Sequence, residues 1–129
     1  MLNFLLFGAA GLSQLGSVDS DHKVRERHFS HKKDAKDKVA ILSVTGTILS
    51  GRGFVKDQID QILKDSDVKA VVLRVDSPGG TITGSDYIYH HLSEMVAERE
   101  MPLVVSMGSL AASGGYYVSM ACGETPEVI

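Results

Sequence analysis

Three short runs of β-branched and aliphatic residues, each followed by an amphipathic stretch or a small-residue turn, constrain this chain more than any other feature. Residues 39–44 (VAILSV), 68–75 (VKAVVLRV) and 102–107 (PLVVSM) have strand length and near-continuous apolar character, so they read as strands buried by other structure. Residues 54–66 place Val55, Ile59, Ile62 and Leu63 on one helical face. Residues 85–99 do the same with Ile88, Leu92, Met95 and Val96. A turn of small residues, 108–115, leads into 116–122, which reads as a third helix, and 127–129 begins a further strand. The succession predicts an α/β fold, a mostly parallel sheet with flanking helices. Right-handed crossovers put the C-terminal ends of its strands on one edge, where open α/β sheets bind ligands.

Composition sets the scale. The chain has 129 residues, 43% of them apolar, and a formal net charge of −3, which is ordinary for one modest globular domain and excludes a wholly disordered chain. Nothing in that balance points to nucleic acid. A lone cysteine, Cys122, excludes an internal disulfide and a cysteine-rich zinc site. The charge is uneven: seven Lys/Arg and five Asp/Glu lie in residues 1–38, against six and eleven in 39–129. Residues 1–18 are apolar and uncharged, an expected signal, anchor or weakly ordered tail, although polar side chains dilute them below a spanning helix. Residues 19–38, with Val24 and Phe29 as their larger apolar side chains, read as a charged linker, and His22, His28 and His31 within it as solvated histidines. The globular part is expected over 39–129. About 90 residues are few for a sheet packed on both faces, so the fold is expected to be incomplete.

Two turns at the expected ligand edge can carry chemistry. In the segment 106–115 (SMGSLAASGG), Ser113 has Ala111 two residues before it and Gly115 two after, on a strand-to-helix turn. Small neighbours permit the sharp elbow that exposes a nucleophilic hydroxyl, and the following backbone N–H groups suit an oxyanion. Serine is equally a common helix N-cap, and this motif alone favours that plainer role. The second turn, Asp76-Ser77-Pro78-Gly79-Gly80, has a proline that fixes φ and two glycines that let backbone approach a ligand. Asp76 reads as an Asx-type turn residue and Ser109 as a hydroxyl bonded within its own turn.

Together, VKAVVLRVDSPGG (68–80) and PLVVSMGSLAASGGYYVSMAC (102–122) resemble the signal peptide peptidase A family, the S49 serine peptidases. The resemblance implies a Clp-protease/crotonase-like fold. It assigns Ser113 as nucleophile, the backbone N–H groups of Gly80 and Gly114 as oxyanion hole, and Gly79 and Ser109 to the substrate groove. It implies hydrolysis of signal or other peptides through a Ser–Lys acyl-enzyme mechanism, without cofactor or metal. It further implies a homo-oligomer, membrane association and an extracytoplasmic catalytic part.

One departure bears on activity. The family's general-base lysine lies downstream of the nucleophile, whereas no lysine follows Lys69 and no histidine follows His91 here. Lys64 and Lys69 flank the N-terminal end of a strand, the wrong edge for Ser113. The expectation is therefore a peptidase domain that is inactive alone for want of its base. The competing expectation is a non-catalytic peptide-binding or assembly module of the same fold. Crotonase-type acyl-CoA chemistry is disfavoured because it needs no hydroxyl at the elbow.

Overall fold

The computed structural model describes residues 3–7 and 24–123. Five strands, β1 (Asn3–Phe7), β2 (Glu26–His31), β3 (Lys38–Thr45), β4 (Val68–Ser77) and β5 (Leu103–Ala111), form one sheet in the order β2-β1-β3-β4-β5. Strand β1 runs parallel to β3, β3 to β4 and β4 to β5, and only β2 is antiparallel to its neighbour. Three helices, α1 (Phe54–Lys64), α2 (Ile82–Arg99) and α3 (Gly114–Ser119), alternate with the last strands, and a 3-10 turn (Met120–Cys122) follows.

The mostly parallel sheet follows from the crossovers. Chain order and spatial order coincide for β3, β4 and β5, so successive right-handed crossovers advance in one direction and lay their helices on one face. Ala40, Leu42 and Val44 of β3, Val71, Leu73 and Val75 of β4, and Leu103 and Val105 of β5 share one core with Ile59 and Ile62 of α1 and Ile88, Leu92 and Met95 of α2. The alternate residues Ile41, Ser43, Val72, Arg74, Val104 and Ser106 are only half-buried.

The segments read as apolar tail and charged linker contain β1 and β2. Strand β2 is an exposed edge, where charged side chains face water and pairing rests on backbone hydrogen bonds rather than on burial. His28 is therefore half-buried and its Nδ1 is enclosed without a partner, whereas His31 is exposed. His22 and the strand expected at 127–129 lie outside the described residues.

Helix α2 begins at Ile82, earlier than the apolar spacing suggests, because Thr81 caps it: its Oγ1 accepts the Gly84 N–H at 3.1 Å. Arg99 ties the far end of α2 to α1. Its guanidinium donates to the carbonyls of Ile62, Leu63, Asp65 and Val68 at 3.0–3.4 Å, satisfying C-terminal groups of α1 and the turn beyond it.

Candidate active site

Strands β4 and β5 end side by side and deliver the two turns. Strand β5 continues through Gly108 to Ala111, where a turn was expected. Asp76, in β4, explains the difference: its Oδ1 accepts the Leu110 N–H at 3.1 Å, and a Cβ at Gly108 would lie 2.8 Å from its Cγ. Asp76 is thus a cross-strand clamp and not an Asx-turn residue. The pairing slips between Val75 and Ser77, and then Ser77 faces Ala111, with the Ala112 N–H donating to the Ser77 carbonyl at 3.0 Å.

Ser77 is the pivot of the proline–glycine bend. Fully buried, its Oγ donates to the Gly46 carbonyl at 2.6 Å and accepts the Gly79 N–H at 3.0 Å. Gly79 has φ +88°, a conformation that favours glycine. Ile48 then pairs with the bend. Its N–H donates to the Gly79 carbonyl at 2.9 Å, and its carbonyl accepts the Thr81 N–H at 2.7 Å. In such a parallel bridge the flanking residues make both bonds, so the N–H of the residue between them, Gly80, is turned away from Ile48.

Ser113 has φ +51° and ψ −121° and is exposed, and its side chain makes no capping bond to α3. The N-cap role that serine usually plays is therefore not the one seen here. The turn is held by backbone alone: the Gly115 N–H donates to the Ala112 carbonyl and the Tyr117 N–H to the Ser113 carbonyl, both at 2.9 Å. The two turns interlock. A Cβ at Gly79 would strike the Gly114 nitrogen, and one at Gly114 would strike the Ser85 hydroxyl. A Cβ at Gly115 would lie 2.7 Å from the Ser77 carbonyl oxygen.

A cleft of about 360 Å³ opens above this junction, lined by Gly80, Ile82, Ser85, Asp86, Ser113, Gly114 and Tyr117. It brings together Ser113, Gly80 and Gly114. Gly79 is buried beneath the elbow, and Ser109 is exposed on β5; neither lines the cleft. Tyr116 and Tyr117 are both exposed. Tyr117 stacks on Tyr89 with ring centroids 4.8 Å apart, and its hydroxyl donates to Asp86 Oδ1 at 2.9 Å. That hydrogen bond pushes the phenol pKa up and keeps it protonated as a donor.

Sequence reasoning missed the parts of Ser77 and Asp86, which act through partners distant in sequence, and of Ser85, whose hydroxyl donates to the Thr81 carbonyl at 2.9 Å and stands against Gly114; a serine two residues before a glycine bend was the available signal for Ser77. Lys69 donates to the Ser66 carbonyl at 2.8 Å, and it and Lys64 stand at the sheet edge opposite the cleft. Among the described residues no group of three His, Cys, Asp or Glu side chains could hold a metal ion.

A serine hydroxyl on a positive-φ elbow, sharing a cleft with backbone amides from a glycine bend, is equipment for acyl transfer. Comparison with known proteins gives the class its family. Protease 4 of Haemophilus influenzae is 42% identical over 120 residues, covering 87% of this chain and 19% of that protein. The chloroplastic serine protease SPPA of Arabidopsis thaliana is 32% identical over 98 residues, covering 67% and 14%. A solved structure of the membrane-bound stomatin-specific protease 1510-N aligns with a TM-score of 0.48 at 20% identity, over 68% of this chain and 42% of that one. No family model matches the chain. The chain belongs to the signal peptide peptidase A family of serine peptidases. Its mostly parallel sheet with flanking helices is the α/β architecture expected from the sequence. It spans between 14% and 32% of the length of the relatives named as proteases of this type that match over most of it.

Proposed function

We propose that this chain carries the nucleophile and the oxyanion hole of a serine endopeptidase that cleaves signal peptides or other peptides. The observation that carries the reading is the exposed Ser113 hydroxyl, on a left-handed elbow, in one cleft with Gly80 and Gly114. Ser113 Oγ attacks the scissile carbonyl carbon and passes its proton to a general base. The N–H groups of Gly80 and Gly114 stabilise the oxyanion, collapse releases the amine, and water hydrolyses the acyl-enzyme.

Lysine is the general base in this reading, and Lys64 and Lys69 do not serve, because they stand at the far sheet edge. Burial would hold such a lysine neutral near pH 7. The exposed Leu49, Ile82, Leu110, Tyr116 and Met120, which lie at or beyond the strand ends on the cleft side of the sheet, suit self-association or contact with a membrane-released peptide. Association with a membrane, with the catalytic part on its outer side, belongs to the same reading as an expectation for a member of this family. No helix among the described residues is long and apolar enough to cross a bilayer.

The test is labelling by a fluorophosphonate probe, read by intact and peptide mass spectrometry. A single adduct on Ser113, absent in Ser113→Ala and accelerated by a lysine-bearing relative, is the expected result. An adduct on another serine, or equal labelling of Ser113→Ala, would sink the assignment.

A further inference from the structure

The cleft beside Ser113 has a chemical asymmetry that acyl transfer does not use. Of the residues that line it, Asp86 is the only one with a negative charge, and none carries a positive one. Among the described residues Asp86 has no salt-bridge partner; its Oδ1 accepts from Tyr117, and Oδ2 has no partner there. His90, one turn further along α2, is engaged with Glu94 at 3.1 Å. The adjoining wall is apolar, made by Ile82, one turn before Asp86 on α2 and 89% exposed, and by the Tyr117 ring.

On the reading of the cleft as a peptide groove, we infer that Asp86 selects substrates with a lysine or arginine side chain close to the scissile bond. A peptide seated over Ser113 displaces water from the Asp86 carboxylate. A neutral side chain then leaves a charge poorly solvated and unpaired, which is unfavourable, while a basic side chain pairs with it. The long methylene stem of lysine or arginine suits the wall of Ile82 and Tyr117, with its charged head on Oδ2. Position along the substrate follows from the helix. Tyr117, which holds Asp86, lies one turn beyond Ser113, about 5–6 Å. Extended chain covers that span in about two residues, so the selected side chain lies within two residues of the scissile carbonyl.

The experiment measures fluorescence anisotropy of dye-labelled peptides on the whole chain, with no turnover needed. Two peptides differ at one such position, lysine against norleucine. The lysine peptide binds about fivefold more tightly at low salt, and the margin closes as salt is raised. In Asp86→Asn, which keeps an acceptor for the Tyr117 hydroxyl, the lysine peptide falls to the affinity of the norleucine peptide; a circular dichroism melt confirms the fold. In Tyr117→Phe the carboxylate remains and the margin persists or widens. Equal binding of the two peptides to the unmodified chain, a margin that survives Asp86→Asn, or its loss in Tyr117→Phe overturns the inference while leaving the peptide groove standing. Absence of binding by either peptide overturns the groove reading itself, and the selectivity with it.

Discussion

Gly79 packs directly under Gly114, so closely that a methyl group at position 79 would overlap the amide nitrogen that follows Ser113. The proline–glycine bend and the Ser113 elbow are therefore in backbone contact, and the proposed oxyanion amides of Gly80 and Gly114 flank that contact.

Gly79→Ala is the direct test of that contact. The substitution meets both the overlap and a φ of +88°. A loss of about 1–3 kcal/mol in stability is expected. Displacing an oxyanion donor should also slow fluorophosphonate labelling of Ser113 by about 10²-fold. Thermal melts and labelling rates read the two effects separately, and an unchanged rate in a destabilised protein would show that the amides do not depend on the contact.

Ser77→Ala removes a buried hydroxyl that serves two groups, the Gly46 carbonyl and the Gly79 N–H. Leaving both unsatisfied should cost about 2–3 kcal/mol. Denaturant unfolding of the two proteins gives the difference; a cost under about 0.5 kcal/mol would mean that water takes over both bonds.

Arg99→Met keeps the stem of the side chain and removes the donors that hold four carbonyls at the end of α1. A charged donor of this kind is worth about 1.5–3 kcal/mol. The melting temperature should fall by about 5–15 °C. Hydrogen exchange should rise first in 60–68, where those carbonyls lie.

Lys38 and Asp65 form an ion pair at 2.8 Å that joins the start of β3 to the end of α1. Hydrogen bonding to Asp65 pushes the Lys38 pKa up against the effect of burial. Burial alone would push the Asp65 carboxyl up, but the bond from Lys38, the Asp67 amide and the charges of Lys38 and Arg99 together hold it below the usual range. A depressed carboxyl stabilises the fold above its unfolded pKa, near 3.8, and loses that contribution as pH falls through the folded value. A raised lysine contributes fully below 10.5 and loses its contribution as pH rises through the folded value. The pair thus acts across neutral pH. Lys38→Met should lower stability by about 1 kcal/mol at pH 7, with the gap closing as pH falls below 3.8 and through the folded value of Asp65. A gap of constant size across that range would assign the loss to packing rather than charge.

Much of the sheet was legible because periodicity reports burial. The apolar runs at 39–44, 68–75 and 102–107 became β3, β4 and β5, and the amphipathic spacing of Ile59 with Ile62 and of Ile88 with Leu92 marked the two long helices. Strand β2 was not legible, since Glu26, Arg27 and His28 carry no apolar alternation and an edge needs none. The continuation of β5 past Gly108 depends on Asp76, a partner 34 residues before Leu110, which local composition does not record.

The candidate site divides in the same way. Ser113 and Gly80 could be placed together because each ends a strand of one parallel sheet. Ser85, Asp86 and Tyr117 could not, because their roles arise only where α2 crosses α3. Gly79 was assigned to the groove on its place in the motif, whereas tight packing puts it one layer down.

The positive φ of Ser113 has a bearing on which chemistries this scaffold can adopt by single replacements. A γ-branchless side chain tolerates such a backbone at modest cost, but a second heavy atom on the β-carbon makes it a severe outlier. Cysteine is thus a conformationally open exchange at position 113, whereas threonine, whose secondary alcohol sits on a branched β-carbon, brings torsional strain that serine does not.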